Sequence, residues 1–141
     1  MKARASYVAV FEKDPEVNGY TVFFPDLPGC ITEGDDYNQA IKMAKEALEL
    51  HLYSMEKDEE KLPVATDPEN IELEHGQFVT LIEADMILTR MEMENQKVSK
   101  NVSLPKWLET LGTENKINFS QTLENALYEK LGIERLANTK R

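Results

Sequence analysis

The chain has little cysteine, histidine or tryptophan: one, two and one respectively in 141 residues. A single cysteine excludes an intramolecular disulfide and fits a reducing compartment. The two histidines, His51 and His75, have no ligand spacing to Cys30 or to each other, so no zinc site is expected. No apolar run approaches the length of a membrane span. Lys2 and Arg4 are not followed by the apolar stretch of a secretory leader. These gaps point to a cytoplasmic protein with no membrane association, no metal and no cofactor. Basic residues are also scarce, 16 against 26 acidic ones, for a formal net charge of -10. That balance argues against nonspecific nucleic-acid binding by the molecule as a whole.

The charge is unevenly placed. Residues 1–95 hold 8 Lys and Arg against 21 Asp and Glu, a net of −13, whereas residues 96–141 hold 8 against 5, a net of +3. An acidic body suits a basic partner, and a mildly basic tail suits an anionic one. Hydrophobic residues make up 41% of the chain, enough for a core in one ordinary domain or in a small domain with an appendage.

The first half is organised around the stretch from Phe24 to Leu52. Pro25-Asp26-Leu27-Pro28-Gly29 forms a preset turn. Cys30 to Glu33 reads as a short strand. Asp36 is a good helix N-cap with Gln39 at the capping-box position. Tyr37, Ile41, Ala44, Leu48, Leu52 and Met55 then recur on one face of a long helix ending near Lys57, with Lys42, Lys45, Glu46, Glu49 and Glu56 mostly elsewhere. Ahead of the turn, the apolar run Ala5 to Phe11 and the segment Tyr20 to Phe24 are joined by Asp14-Pro15 and Asn18-Gly19, which makes a hairpin and, with Cys30 to Glu33, a meander. Beyond the helix, Pro63 to Asn70 reads as a loop. Ile71 to Glu74 alternates like an edge strand, and Phe78 to Leu88 reads as a further strand. The expected class is α+β, one sheet with one main helix on it.

Thr89 to Gln96 reads as a connection. Lys97 to Leu104 alternates polar and apolar residues as a strand. Pro105 opens a helix bearing Leu108 and Leu111. Asn118, with Gln121 three residues on, caps a second helix with the stripe Leu123, Ala126, Leu127 and Leu131, closed by Gly132. So short a segment cannot enclose a core alone. A second copy would pair the strands and cover the apolar stripes, and it would also bury Trp107. The expected organisation is a body over residues 1–90, a linker over 91–96, a dimerisation module over 97–133 and a tail over 134–141.

Two resemblances follow from these residues. Pro25-Asp26-Leu27-Pro28-Gly29-Cys30 with Thr32-Glu33-Gly34-Asp35 and the alanine-rich helix Ala40 to Leu52 resembles the HicB antitoxin family, over roughly the first half of the chain. The resemblance implies a partial ribonuclease-H-like body. It also implies an antitoxin that silences a small basic ribonuclease toxin, HicA, and represses its own operon. The second half, through Val102-Ser103-Leu104-Pro105, Asn118-Phe119-Ser120-Gln121, Leu123 and Ala126-Leu127, resembles the ribbon-helix-helix fold of the Arc and MetJ type. Thr122 stands where that fold usually has an apolar residue, and Lys100 falls in the apolar register of Val98 and Val102.

Candidate site residues follow for both partners. Asp26, Glu33, Asp35 and Asp36 are the acids expected toward a basic toxin. On the expected strand Ser99, Asn101 and Ser103 share the face opposite Val98, Val102 and Leu104. They suit base edges in a major groove. Lys97 and Lys100 suit phosphates, as do the free N–H groups at the helix start around Asn118 and Ser120. Two other functions stay open: an acidic interaction domain that only dimerises through its ribbon, and a metal-dependent hydrolase. The second needs a carboxylate on the first strand, and Tyr7 to Phe11 has none; the acids near the turn read as solvated turn and cap residues. Cys30 has no nearby His or Lys to activate it and reads as a small core residue.

Overall fold

The computed structural model describes residues 2–133. The tail expected over 134–141 lies outside them. The chain divides into two compact units, Met1–Lys97 and Val98–Arg141.

The first unit is one antiparallel sheet with a long helix on it. Strands β1 (Arg4–Lys13), β2 (Tyr20–Phe23) and β3 (Ile31–Gly34) form the expected meander, and helix α1 (Tyr37–Lys57) follows. A fourth strand, β4 (Gln77–Asp85), runs antiparallel to β1, so the sheet order is β3-β2-β1-β4. Side chains alternate across a strand. Tyr7, Ala9 and Phe11 of β1 therefore share the core with Val22, Ile82 and Ala84. They pack on Ala40, Ala44, Leu48 and Leu52 of α1. Burial of each large apolar side chain there contributes about 1.5–3 kcal/mol. Phe11, Tyr20, Tyr37 and Phe78 form a ring cluster where α1 begins, with centroids 5.3 to 6.4 Å apart. Asp36 caps α1 by accepting from the Gln39 N–H at 2.8 Å, and Gln39 Oε1 accepts from the Asp35 N–H. A Cβ on Gly34 would lie 2.4 Å from the Ala40 nitrogen, so only glycine lets β3 pass so close to the first turn of α1.

Three expectations differ from the structure in this unit. Ile71 to Glu74 joins no ladder; it is irregular chain after a 3-10 turn at Pro68–Asn70. It lies next to the start of β4, where Gln77 donates its N–H to the Glu74 carbonyl at 3.1 Å, and no ladder extends beyond that bond. The β-prone run expected to reach Leu88 stops at Asp85, whose carboxylate accepts from the Leu88 N–H at 3.0 Å. That cap starts helix α2 (Met86–Met93), so most of the connection expected from Thr89 is helical. Arg90 of α2 makes a two-pronged ion pair with Glu56 of α1, Nε to Oε2 at 3.0 Å, and its Nη2 also donates to the Lys2 carbonyl at 2.9 Å. Glu94, just past α2, bonds Lys57 and the Tyr53 hydroxyl.

The second unit has two helices, α3 (Lys106–Glu114) and α4 (Phe119–Leu131). Pro105 precedes α3. The Asn118 side chain accepts from the Gln121 N–H at 3.0 Å, and Gly132 closes α4 in the left-handed conformation. Residues 94–105 carry no regular secondary structure. The strand expected over Lys97 to Leu104 is therefore not formed in the single chain, because a strand needs a ladder and no described segment supplies one. The helices meet at Gly112, where a Cβ would lie 2.6 Å from the Phe119 ring.

Candidate partner-binding surfaces

The conspicuous turn of the first half is mainly scaffold. Phe24, Leu27 and Cys30 are buried core residues, and main-chain bonds close the turn at 3.0 to 3.2 Å. Gly29 takes a φ of 88, which suits glycine. Asp26 holds the long loop after α1, accepting from the Thr66 N–H at 2.8 Å and from its hydroxyl at 2.7 Å. The structure thus gives Asp26 a clamping role. Glu33, Asp35 and Asp36 are exposed at the other end of β3, away from Asp26. Glu33 lies on the sheet face opposite α1, and Asp36 is occupied as a cap. The four acids are not brought together, and among the described residues no group of three or more His, Cys, Asp or Glu side chains is gathered to hold a metal.

One carboxylate was misplaced by helical spacing. Glu49 is buried although it lies beside the apolar stripe rather than in it. Its Oε2 accepts from Lys45 Nζ at 2.6 Å and from the Asp85 N–H at 2.8 Å, which ties α1 to the end of β4. The i,i+4 spacing of Lys45 and Glu49 was the available signal. Burial pushes the Cys30 thiol up to about 11, which leaves it an inert core residue. Burial first, and then the charge of Asp26, raises the Tyr7 hydroxyl, which donates to the Pro63 carbonyl at 2.6 Å. At the exposed end of α1 the Lys57 hydrogen bond holds Glu94 below the ordinary carboxylate range, helped by Tyr53.

The chain from Lys97 onward presents a different surface. Lys97, Ser99, Lys100, Asn101 and Ser103 are exposed and lie on irregular chain. Asn118 caps α4, and Ser120 is exposed in its first turn. None of the described residues from 98 to 133 is buried. Val98, Val102, Leu104, Trp107, Leu123 and Leu127 are all exposed.

Comparison with known proteins places this architecture. The profile described as a HicB_like antitoxin of bacterial toxin-antitoxin system matches residues 7–124. The chain belongs to the HicB-like antitoxin family. Members of that family are non-enzymatic regulators of toxin-antitoxin systems. The chain is 34% identical over 87 residues to Antitoxin HicB 1 of Photorhabdus laumondii, covering 57% of this chain and 56% of that one. It is 33% identical over 93 residues to an uncharacterized 14.9 kDa protein from the rep-hol intergenic region of Haemophilus phage HP1, with 64% and 68% covered. A chain in the toxin-antitoxin complex from Streptococcus pneumoniae superposes with a TM-score of 0.58 at 25% identity, over 90% of this chain and 99% of that one. Family membership decides against the hydrolase reading. Among the described residues no helix is long and apolar enough to cross a membrane.

Proposed function

We propose that this antitoxin silences a small basic HicA-type toxin through its acidic first unit and represses its own operon through a dimeric second unit. The first unit is read as a partial ribonuclease-H-like body, and the second as a ribbon-helix-helix module. The observation that carries the second part is the lack of any buried residue from 98 to 133. Such a segment gains a core when a second copy covers Leu108, Leu111, Leu123 and Leu127. The same pairing gives residues 97–104 the ladder they lack alone. Two copies then present Ser99, Asn101 and Ser103 as a two-stranded ribbon of a size that fits a major groove. Lys97, Lys100 and the α4 start at Asn118 and Ser120 serve phosphates. For the toxin, the net of −13 over residues 1–95 supports a basic partner, since opposite fields steer association. Asp26, Glu33, Asp35 and Asp36 are the candidates for that contact.

The test has two arms. Co-expression with the small basic protein of the neighbouring reading frame should restore growth and co-purify the pair; no rescue and no complex would sink the toxin arm. A mobility-shift titration should favour a palindromic promoter site over a scrambled one. Asn101→Ala should cost about 1–3 kcal/mol at a matched base in both half-sites, and Lys97→Ala should flatten the salt dependence for every sequence. Equal affinity for both DNAs would leave the second unit as a dimerisation device.

A further inference from the structure

We infer that the free edge of β3 is where the basic partner docks, by adding an extended segment of its own to the sheet. This rests on the toxin reading above and names the surface that reading needs. The sheet ends in β3 on one side and β4 on the other. The chain itself covers the β4 side: the 3-10 turn Pro68–Asn70 lies against it, and Gln77 donates its N–H to the Glu74 carbonyl at 3.1 Å. On the β3 side no main-chain group among the described residues bonds to the outer edge. Ile31 is 63% exposed there, and Glu33 is exposed beside it. A bare edge templates pairing with another strand.

The hydrogen bonds identify which groups are available. Along an antiparallel strand, alternate residues turn their N–H and C=O toward one neighbour and then toward the other. Phe24 donates its N–H to the Cys30 carbonyl at 3.2 Å, and the register then pairs Val22 with Thr32 and Tyr20 with Gly34. At the other end of β2, Asp14 donates its N–H to the Gly19 carbonyl at 2.9 Å, which by the same alternation turns Thr21 and Phe23 toward β1. Both ends agree: Thr32 and Gly34 bond inward to β2. Ile31 and Glu33 therefore turn their N–H and C=O outward. The outward row stops at Asp35, whose N–H donates to Gln39 Oε1.

The side chains decide what kind of strand fits. On the face opposite α1, Ile31 lies in a row with Phe23 and Val10, and Glu33 lies in a row with Thr21 and Glu12. The first row is apolar. The second carries two carboxylates and no cation. An added strand continues both rows with residues two positions apart, because side chains alternate. The segment that fits is apolar at one position and Lys or Arg two residues away. Main-chain bonds supply the grip and these two side chains the selectivity. A basic protein brings that pattern to a body whose net charge is −13 over residues 1–95. A second copy does not. Residues 29–36 hold Glu33, Asp35 and Asp36 and no Lys or Arg, so pairing two β3 edges adds carboxylates to a row that already lacks cations.

The test uses the full-length chain and the small basic protein of the neighbouring reading frame. In the unsubstituted chain the amides of Ile31 and Glu33 should exchange fast when it is alone and at least about tenfold more slowly in the complex. Glu33→Lys should weaken the complex at least about tenfold. Glu72→Lys, the same charge change on the exposed chain leading to β4, should weaken it less than about twofold. Ile31→Pro deletes one outward N–H and leaves the inward bonds of Thr32 and Gly34 alone, so it should weaken the complex with little change in the melting of the free chain. A complex in which the Ile31 and Glu33 amides stay fast, with Glu33→Lys no worse than Glu72→Lys, would overturn this inference and leave the toxin reading standing. No complex with the unsubstituted chain would overturn both. Protection of these amides in the free chain that rises with its own concentration would assign the edge to a second copy and also overturn the inference.

Discussion

The two units answer the same physical problem differently. The first buries its apolar face within itself: Phe11, Leu27, Leu48 and Leu52 are all inaccessible, and α1 is held to the sheet, to α2 and to the end of β4. The second has helices of comparable apolar content and buries none of their residues. The difference teaches that amphipathic spacing specifies a face without specifying its cover. In the first unit the cover is the chain's own sheet. In the second no described residue of the unit is buried; the proposed dimer would supply the cover, and a concentration-dependent stability would be its mark.

The same substitution in the two units provides the sharpest contrast. Leu48→Ala should lower the urea unfolding free energy by about 2–5 kcal/mol at any protein concentration, since it empties a closed core site. Leu127→Ala should change it by less than about 0.5 kcal/mol in dilute solution, where the residue is half exposed. At concentrations where the chain is assembled it should cost several-fold more. An equal cost for both at low concentration would break the comparison. A smaller effect tests how firmly α2 belongs to the first unit. Arg90→Ala removes both prongs from Glu56 and the bond to the Lys2 carbonyl, and should cost about 2 kcal/mol, with faster amide exchange across α2.

The smallest effect is one of pH. Burial raises the Cys30 thiol from about 9 to about 11, so the folded state favours the neutral form more than the unfolded chain does. Its contribution to stability is complete below pH 9 and is lost as pH rises toward 11. Cys30→Ala should remove that alkaline slope, as followed by thermal melts between pH 8 and pH 11. At neutral pH the native thiol should react with alkylating reagents only as fast as the first unit opens.

Much of the first unit was legible because its signals are local. Asp14-Pro15, Asn18-Gly19 and Pro28-Gly29 announce the two turns, and Asp36 with Gln39 announces the start of α1 within a residue of its observed place. The end of β4 was not legible. The apolar run continues through Met86, Ile87 and Leu88, so only the Asp85 cap marks the change to helix, and an aspartate at a strand end is a weak sign alone. Ile71 to Glu74 had the alternation of a strand and a turn into β4, yet the one main-chain bond from β4 back to it runs from the Gln77 N–H to the Glu74 carbonyl. Among the candidate acids, Asp26 looked like Glu33 and Asp35 in sequence, yet its partner Thr66 lies 40 residues away, beyond the reach of any spacing argument.

By itself the sequence determined the meander, the caps of α1 and α4, the acidic body and the exposed stripes of the second half. Each depends on residues within a turn or two of one another, or on composition. Only the tertiary structure decided that β4 lies beside β1 and becomes an edge. It also decided that Glu49 is drawn into the interior and that Asp26 clamps a loop. These outcomes depend on which distant surfaces close on each other, and a burial preference does not name its partner. The main chain adds a second reason: its donors and acceptors are the same at almost every residue, so only the finished ladder fixes which strands are neighbours.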